Sequence, residues 1–348
     1  MRVLVTGGTG FVGASAVRAI VRRGHSVRVL ARHVASETGW TDDGVQRWSG
    51  DVTQPASLRG AGDECEAVLH IVGVVDDASS PDDVHRVNVD GTRNLVAEAK
   101  RAGVRKLVYV SSLGAEHGTT DYHRSKRAAE EICRRFAGDW LILRPGAVYG
   151  PGDQHISMLL HMLRALPAIP TIEDGDQLFQ PIWHEDLAEA LARALERADV
   201  NGTMLDVAGS EVTSQNDLVR RISSMIGREV PQIALPEMIA SLGLRALDAI
   251  GVTPPVSAST ITMIVEGNQI SPTRTNALTD VFGIDPISLD VGLRRLLDEQ
   301  PEQLPDSGVG ALTRKRFWTD IRGGRFDADE LFDYVRTHSA SWFRASSA

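Results

Sequence analysis

Tyr122 and Lys126 stand four residues apart in Tyr122-His123-Arg124-Ser125-Lys126. Ala128-Ala129-Glu130-Glu131-Ile132 carries the same helical pattern onward, and residues four apart share one face of a helix. A phenol titrates near 10 in water, too high for proton transfer at neutral pH. A neighbouring ammonium favours the phenolate, so this spacing predicts a Tyr122 pKa drawn downward. Ser111-Ser112 closes the apolar run 106–110. Ser112 at that strand end is placed to hydrogen-bond a substrate oxygen while Tyr122 moves its proton. The chemistry of such a trio is proton transfer at a carbonyl or alcohol oxygen. A Tyr-x-x-x-Lys spacing is common by chance, and its meaning rests on the elements around it.

Residues 3 to 13 supply that context. Val3-Leu4-Val5 is a short apolar run of the kind found in buried parallel strands. Gly7, Gly10 and Gly13 follow, and Ala14 to Arg22 reads as a helix that stops at Gly24. Strand, glycine turn and helix N-terminus form an anion site in which unpaired N–H groups and the helix dipole meet a pyrophosphate. The pattern predicts dinucleotide binding. The positive ring of a bound nicotinamide would then add to Lys126 in lowering the Tyr122 pKa.

Ser26 to Ala31 is a second strand, whose end meets the adenosine ribose in such a fold. Ala31-Arg32-His33 stands there with no acidic residue, and Arg32 can pair with a 2′-phosphate through its planar fork. NADP(H) is therefore favoured over NAD(H). Val45 to Ser49 is a third strand, followed by Gly50-Asp51-Val52. Asp51 fits either a hydrogen bond from the adenine amine or the N-cap of a helix begun within Thr53 to Leu58. Ala67 to Val72 is a fourth strand containing Ile71, and Gly73 after it allows close backbone approach. Val84 to Ala102 reads as one long helix carrying Asn88, and Lys106 to Val110 as the fifth strand. This alternation predicts an α/β fold, a Rossmann-type doubly wound parallel sheet covered on both faces.

Composition bounds the partners. A net charge of −9 argues against a nucleic-acid surface. The only two cysteines, Cys65 and Cys133, have no metal-ligand spacing and predict neither a disulfide framework nor a metal site. A core strand starting by residue 3 is read as leaving no signal peptide. The apolar stretch Ile233 to Val252 is interrupted by Pro236, Glu237, Arg245 and Asp248, which predicts amphipathic helix and no transmembrane span. The expected location is cytoplasmic, with peripheral membrane association left open.

The chain resembles the short-chain dehydrogenase/reductase superfamily, in its extended and atypical epimerase/dehydratase branch. The resemblance rests on Thr6-Gly7-Gly8-Thr9-Gly10-Phe11-Val12-Gly13, Gly50-Asp51-Val52, Asn88-Val89-Asp90-Gly91-Thr92, Val110-Ser111-Ser112, Tyr122 with Lys126, and Leu143-Arg144-Pro145-Gly146. It implies that Tyr122 is the acid–base group, that Lys126 holds the nicotinamide ribose, and that Ser112 polarises the substrate, with Ser111 as the fallback. Pro145, Gly146 and Val148 would flank the nicotinamide amide. The same resemblance places Thr6 to Gly13, Arg32, Asp51, Val52, Ile71, Gly73, Asn88 and Ser111 around the cofactor. Only ten positions separate Ser112 from Tyr122, whereas sugar-nucleotide epimerases of this branch carry a longer loop. Trp183 stands where a histidine is common and His184 follows it, so neither inherits a histidine role. Asp186 is read as the cap of a helix Leu187 to Ala198.

Residues 1–150 are thus expected to form the cofactor-binding domain and 151–300 a smaller, mostly helical substrate lobe whose elements return to the core. Helices are expected at 155–166, 186–198 and 214–227, with a strand at Met204 to Val207. Leu235 through Ile250, Thr253-Pro254-Pro255, Ile264 to Ile270 and Asn276 to Ile284 are similar to an atypical subgroup that includes the NAD(P)H-binding accessory subunit of respiratory complex I. Residues 301–348, with Arg314-Lys315-Arg316-Phe317-Trp318 and Trp342-Phe343, read as an extension that either packs on the body or docks a membrane, partner or second subunit. The leading expectation is an NADP(H)-dependent oxidoreductase acting on a carbonyl or secondary alcohol of a small molecule. The alternatives are a nucleotide-sugar epimerase or dehydratase and a non-catalytic NADPH-binding assembly protein. Arg144, His155 and Arg164 are the candidates to meet an anionic substrate.

Overall fold

A computed structural model describes residues 1–32, 44–75, 81–153, 155–165, 168–238 and 258–299. His33, most of the run Leu235 to Ile250, Thr253-Pro254-Pro255 and the extension 301–348 lie outside the described residues. Seven strands make one parallel sheet: β1 (Arg2–Thr6), β2 (Ser26–Ala31), β3 (Val45–Ser49), β4 (Ala67–His70), β5 (Lys106–Val110), β6 (Asp139–Pro145) and β10 (Thr203–Val207). Their order is β10-β6-β5-β4-β1-β2-β3, so the chain winds outward first to one side of β1 and then to the other. The reversal between β1 and β4 is where an open parallel sheet leaves a crevice at its carboxyl edge. Val3, Leu4 and Val5 are fully buried, as their β-branched and apolar run requires of a central strand.

The two faces have separate cores. On one, α1 (Phe11–Arg22) packs against α7 (His184–Glu196), with Ala16, Ala19 and Ile20 facing a group that includes Leu187, Ala190, Leu191 and Ala194. Alanines on both helices let their axes approach closely. On the other face Leu4, Val68, Leu107 and Ile142 meet Leu95, Ala99, Ala129 and Cys133. These last four come from α4 (Gly91–Arg101) and α5 (Asp121–Cys133).

A third cluster gathers Tyr149, Leu160, Leu163, Phe179, Trp183, Leu218, Ile222, Leu293 and Leu296. It is built from α6 (Ile156–Ala165), α8 (Gln215–Ile226), the helix Leu289–Glu299 and two short parallel ribbons. The ribbons pair β7 (Val148–Tyr149) with β9 (Ile182–Trp183) and β8 (Ile169–Ile172) with β11 (Gln232–Leu235). The chain leaves this cluster twice, for α7 on α1 and for β10 on β6. Helix α8 has the ends its sequence requires: the Ser214 hydroxyl accepts from Asp217 N, and Gly227 closes it at φ 65°.

Three expectations need correction. The single helix 84–102 is α3 (Pro81–His85), a π-helical turn Arg86–Asp90, and then α4. Side-chain bonds at Asn88 accompany the break: Thr92 Oγ1 of α4 donates to Asn88 O at 2.6 Å while the Asn88 amide reaches sideways to Val74. Strand β4 stops at His70, short of Val72. Asp186 does not cap α7: the helix starts behind Trp183 without a side-chain cap, and Asp186 Oδ2 accepts from Ile287 N at 3.0 Å. That bond ties α7 to the turn before the last described helix.

Candidate active site

The glycine turn is shaped by contacts that tolerate no side chain. Gly7 adopts φ 73°, and a Cβ there would lie 3.0 Å from Val72 N. A Cβ on Gly13 would lie 1.9 Å from the Gly7 carbonyl oxygen, so α1 can rest on the turn only with glycine at that place. Gly8 is buried against Val29. Gly10 is the N-cap of α1, without a side-chain cap and without an acidic residue in the first turn, and Thr9 and Gly10 are exposed at the rim. These features fit a pyrophosphate: bare helix N–H groups, positive dipole end and no carboxylate to compete. Phe11 and Val12 are half-buried, and the Phe11 ring lies 5.5 Å from that of His184. His184 Nδ1 shares a 2.7 Å hydrogen bond with Ser15 Oγ, so this imidazole buttresses α1. Trp183 Nε1 donates to Glu185 Oε2 at 3.1 Å.

Thr6 turns its side chain inward, where Oγ1 shares a 2.7 Å bond with His70 Nδ1, and His70 Nε2 lies 2.9 Å from Thr92 Oγ1. Burial and the nearby Lys126 charge push the His70 pKa down to about 3, so the imidazole is neutral. Arg32 is exposed at the end of β2. The Asp51 carboxylate folds onto Thr53, accepting from both its N–H and its hydroxyl at 2.8 Å. Asp51 is not the N-cap of the next helix, α2 (Pro55–Leu58), which starts behind Gln54. Val52 is buried, with Gly91 against it so closely that a Cβ there would lie 2.8 Å from Val52 Cγ2. Ile71 is half-buried just past β4, its N–H bonded to Thr6 O at 3.3 Å.

The acid–base candidates meet at the end of β5. The Thr120 hydroxyl caps α5 by accepting from His123 N, which sets Tyr122 in the first turn. Lys126 is buried, donates Nζ to Val110 O at 2.9 Å and lies 5.8 Å from the Tyr122 ring centre. A Cβ on Gly73 would lie 2.9 Å from that Nζ, so the ammonium rests directly against this glycine. Ser112 is buried beside the Tyr122 phenol. The expected lowering of the phenol is not found: desolvation drives Tyr122 up to about 12, and the Ser112 hydroxyl opposes it only in part. Desolvation also brings Lys126 down to about 8. Both neutral forms gain for the same reason, because a buried charge loses its water.

Asn88 is fully committed. Its Oδ1 accepts from Val74 N at 2.8 Å, and Nδ2 donates to Val74 O at 2.9 Å and Ser125 Oγ at 2.8 Å. Ser125 in turn donates to Tyr122 O at 2.7 Å, so the π-helical turn holds the backbone beneath the tyrosine. Ser125 was legible only as a small polar residue between Tyr122 and Lys126. Ser111 cannot serve as the fallback polariser, because its hydroxyl donates to Glu130 Oε1 at 2.5 Å. Arg144 likewise does not face a substrate anion: it is buried in a bidentate pair with Glu130, at 2.8 and 2.7 Å, and bonds Glu116. His155 lies against Phe179 at 5.3 Å between ring centres, and Arg164 lines a groove with Arg228, Arg294 and Asp298. Neither joins the Tyr122 group. Pro145 ends β6, Gly146 N donates to Val207 O at 2.9 Å, and Val148 begins β7. A Cβ on Gly146 would lie 2.2 Å from Gln180 O.

Among the described residues no cluster of three His, Cys, Asp or Glu could hold a metal ion, and no helix is long and apolar enough to cross a membrane. Residues 3–208 match the model of the NAD dependent epimerase/dehydratase family. Ceramide reductase of Caulobacter vibrioides is 33% identical over 237 residues, 68% of this chain and 74% of that protein. Sterol demethylase protein B of Methylococcus capsulatus is 30% identical over 68% of this chain and 78% of that protein. The 2-alkyl-3-oxoalkanoate reductase of Stenotrophomonas maltophilia is 27% identical over 65% of this chain and 76% of its own. Among solved structures, the UDP-glucose 4-epimerase of Thermotoga maritima superposes with a TM-score of 0.68 at 19% identity, over 86% of this chain and 98% of that one.

Proposed function

The chain belongs to the NAD-dependent epimerase/dehydratase family and is an NAD(P)-dependent enzyme, and from that premise we propose that it reduces the carbonyl of an apolar, lipid-like compound, with Tyr122 as the proton donor and NADP(H) as the preferred cofactor. The observation that carries this reading is the contact path Gly7–Val72–Gly73–Lys126. The glycine turn before α1 and the Lys126 side chain of α5 both approach the segment just past β4, which supports reading them as the two ends of one cofactor site. A cofactor lying along that path would have its diphosphate at the N-terminus of α1 and its nicotinamide beside Tyr122, Ser112 and the 145–148 loop. When bound, the nicotinamide supplies or accepts the hydride.

The residues divide the remaining work. Ser112 holds the substrate oxygen beside the phenol. Tyr122 carries the proton that an oxygen gaining negative charge requires; desolvation holds it at about 12, and the Lys126 charge with the positive nicotinamide ring would draw it down toward the working range. Lys126 meets the ribose hydroxyls, and its cationic form stabilises the phenolate left behind. Asn88 and Ser125 keep the Tyr122 backbone in place. Arg32 would meet a 2′-phosphate and Asp51 the adenine edge.

The substrate class draws on the relatives, which are named for ceramide, sterol and 2-alkyl-3-oxoalkanoate substrates. The short Ser112–Tyr122 connection and the internal pairing of Arg144 weigh against a nucleotide diphosphate substrate. Incubating the protein with NADPH deuterated at nicotinamide C4, in each prochiral form, together with long-chain ketones should give deuterated alcohols. Tyr122→Phe should abolish the label while leaving the NADPH dissociation constant unchanged. Undiminished label in that variant would remove Tyr122 as the acid.

A further inference from the structure

Glu266 ends the helix Ala258–Glu266, far along the chain from Tyr122, yet its carboxylate bonds residues on both sides of that tyrosine, the Thr119 backbone before it and the His123 imidazole after it. Oε1 accepts from Thr119 N at 2.6 Å and from Thr119 Oγ1 at 2.5 Å. Oε2 lies 3.0 Å from His123 Nδ1. Thr119 ends the connection from Ser112, and His123 directly follows Tyr122. We propose that Glu266 is a positioning residue of the active site, setting the Ser112–Tyr122 spacing from outside the cofactor-binding half of the chain.

The surroundings give this carboxylate leverage. His123 is buried, with its ring wedged into the connection. A Cβ on Gly114 would lie 2.2 Å from the ring and one on Gly118 1.9 Å. The 113–118 segment is therefore moulded on the His123 imidazole. Arg127 Nε adds a bond to Ala115 O at 2.7 Å. Pulling His123 moves both the segment that leads from Ser112 and the residue next to Tyr122. Glu266 is itself held from the far side. Asn268 N donates to Leu178 O at 3.1 Å, and Gln180 N donates to Asn268 O at 2.8 Å. The Gln180 carbonyl oxygen lies against Gly146 in the loop that flanks the cleft. The series 146–180–268–266–119–123 thus crosses from one wall of the site to the other. A second tie runs the same way, from Arg274 to Glu116. The 112–122 connection is short, and a carboxylate from the later chain is bonded across its end.

The inference rests on Tyr122 and Ser112 being the working pair, but its test is independent of turnover. The protein is labelled with 13C at tyrosine Cζ, and the Tyr122 and Tyr149 signals are assigned from their Phe variants. In full-length Glu266→Ala the Tyr122 signal should shift or broaden beyond its linewidth while that of Tyr149 stays in place. Thr119→Val, which removes only one of the three bonds, should move the same signal less and serves if Glu266→Ala loses its fold. In the deuterium-transfer assay Glu266→Ala should lower the rate roughly tenfold to a hundredfold with NADPH affinity unchanged, as about 1 Å of misplacement can do. A Tyr122 signal unmoved in folded Glu266→Ala, or in Thr119→Val where the former does not fold, overturns the proposal. Loss of the acid–base reading would show instead as unchanged label in Tyr122→Phe.

Discussion

Tyr122 and Lys126 show how burial decides a residue's chemistry. Their spacing places them together, but water exclusion acts on the two in opposite directions, raising the phenol to about 12 and lowering the ammonium to about 8. His70 follows the same rule and gives a pH prediction. Its folded-state value near 3 lies below the ordinary 6.5, so below pH 6.5 the unfolded chain binds a proton that the folded chain refuses. The stabilisation is complete above pH 6.5 and is lost at about 1.4 kcal/mol per pH unit as pH falls toward 3. The difference between the urea-unfolding curves of wild type and His70→Gln, measured from pH 7 to 4, should show this slope. Parallel curves would mean that the imidazole is hydrated. At the ribose end, Arg32→Ala should weaken NADPH by roughly tenfold or more and leave NADH nearly unchanged, since one charge-assisted pair is worth about 1.5–3 kcal/mol. Titration calorimetry with both cofactors checks it, and equal losses would remove the 2′-phosphate role.

At the scale of elements, the turn between β1 and α1 was legible because its constraints are local. Three glycines near a strand end and a helix start answer to steric demands that neighbouring backbone imposes. Gly13→Ala should abolish measurable NADPH binding by the full-length protein, since its Cβ would fall 1.9 Å from a carbonyl oxygen and the helix must lift away from the turn. Retained affinity would mean that α1 can shift without opening the cradle. The edges of β2, β3 and β5 were equally readable from apolar runs bounded by turns. The π-helical turn was not. Periodicity runs smoothly through 84–102, and the break comes with Asn88 reaching Val74, a partner that no helical pattern announces.

At the scale of the whole molecule, a chain of charges joins the sheet to the later chain. Glu130 on α5 holds Arg144 on β6, Arg144 bonds Glu116, and Glu116 meets Arg274, which also reaches Asp206 on β10. Both members of the inner pair are buried. Glu130→Ala would leave the guanidinium buried without its bidentate partner and should cost about 3–5 kcal/mol, read from the urea midpoint at constant slope. It also frees Ser111. A cost below about 1 kcal/mol would mean that Arg144 reaches water once Glu130 is gone.

The boundary between what the sequence by itself determined and what tertiary structure decided follows the range of the forces. Sequence was enough for the parallel α/β fold, the glycine cradle at 7–13 and the shared face of Tyr122 and Lys126. The cradle and the shared face follow from backbone sterics or helical spacing over fewer than about a dozen residues, and the fold from the alternation of such local patterns along the chain. Arg144 and Ser111 looked available for a substrate until β6 and α5 came together and Glu130 took both. Tyr122 looked set for a lowered pKa until the packed cleft removed its water. Glu266 carried no signal at all, because the positions it joins lie 143 and 147 residues away. A carboxylate's partner and a phenol's solvent are properties of the folded surroundings, and only the closed structure supplies them.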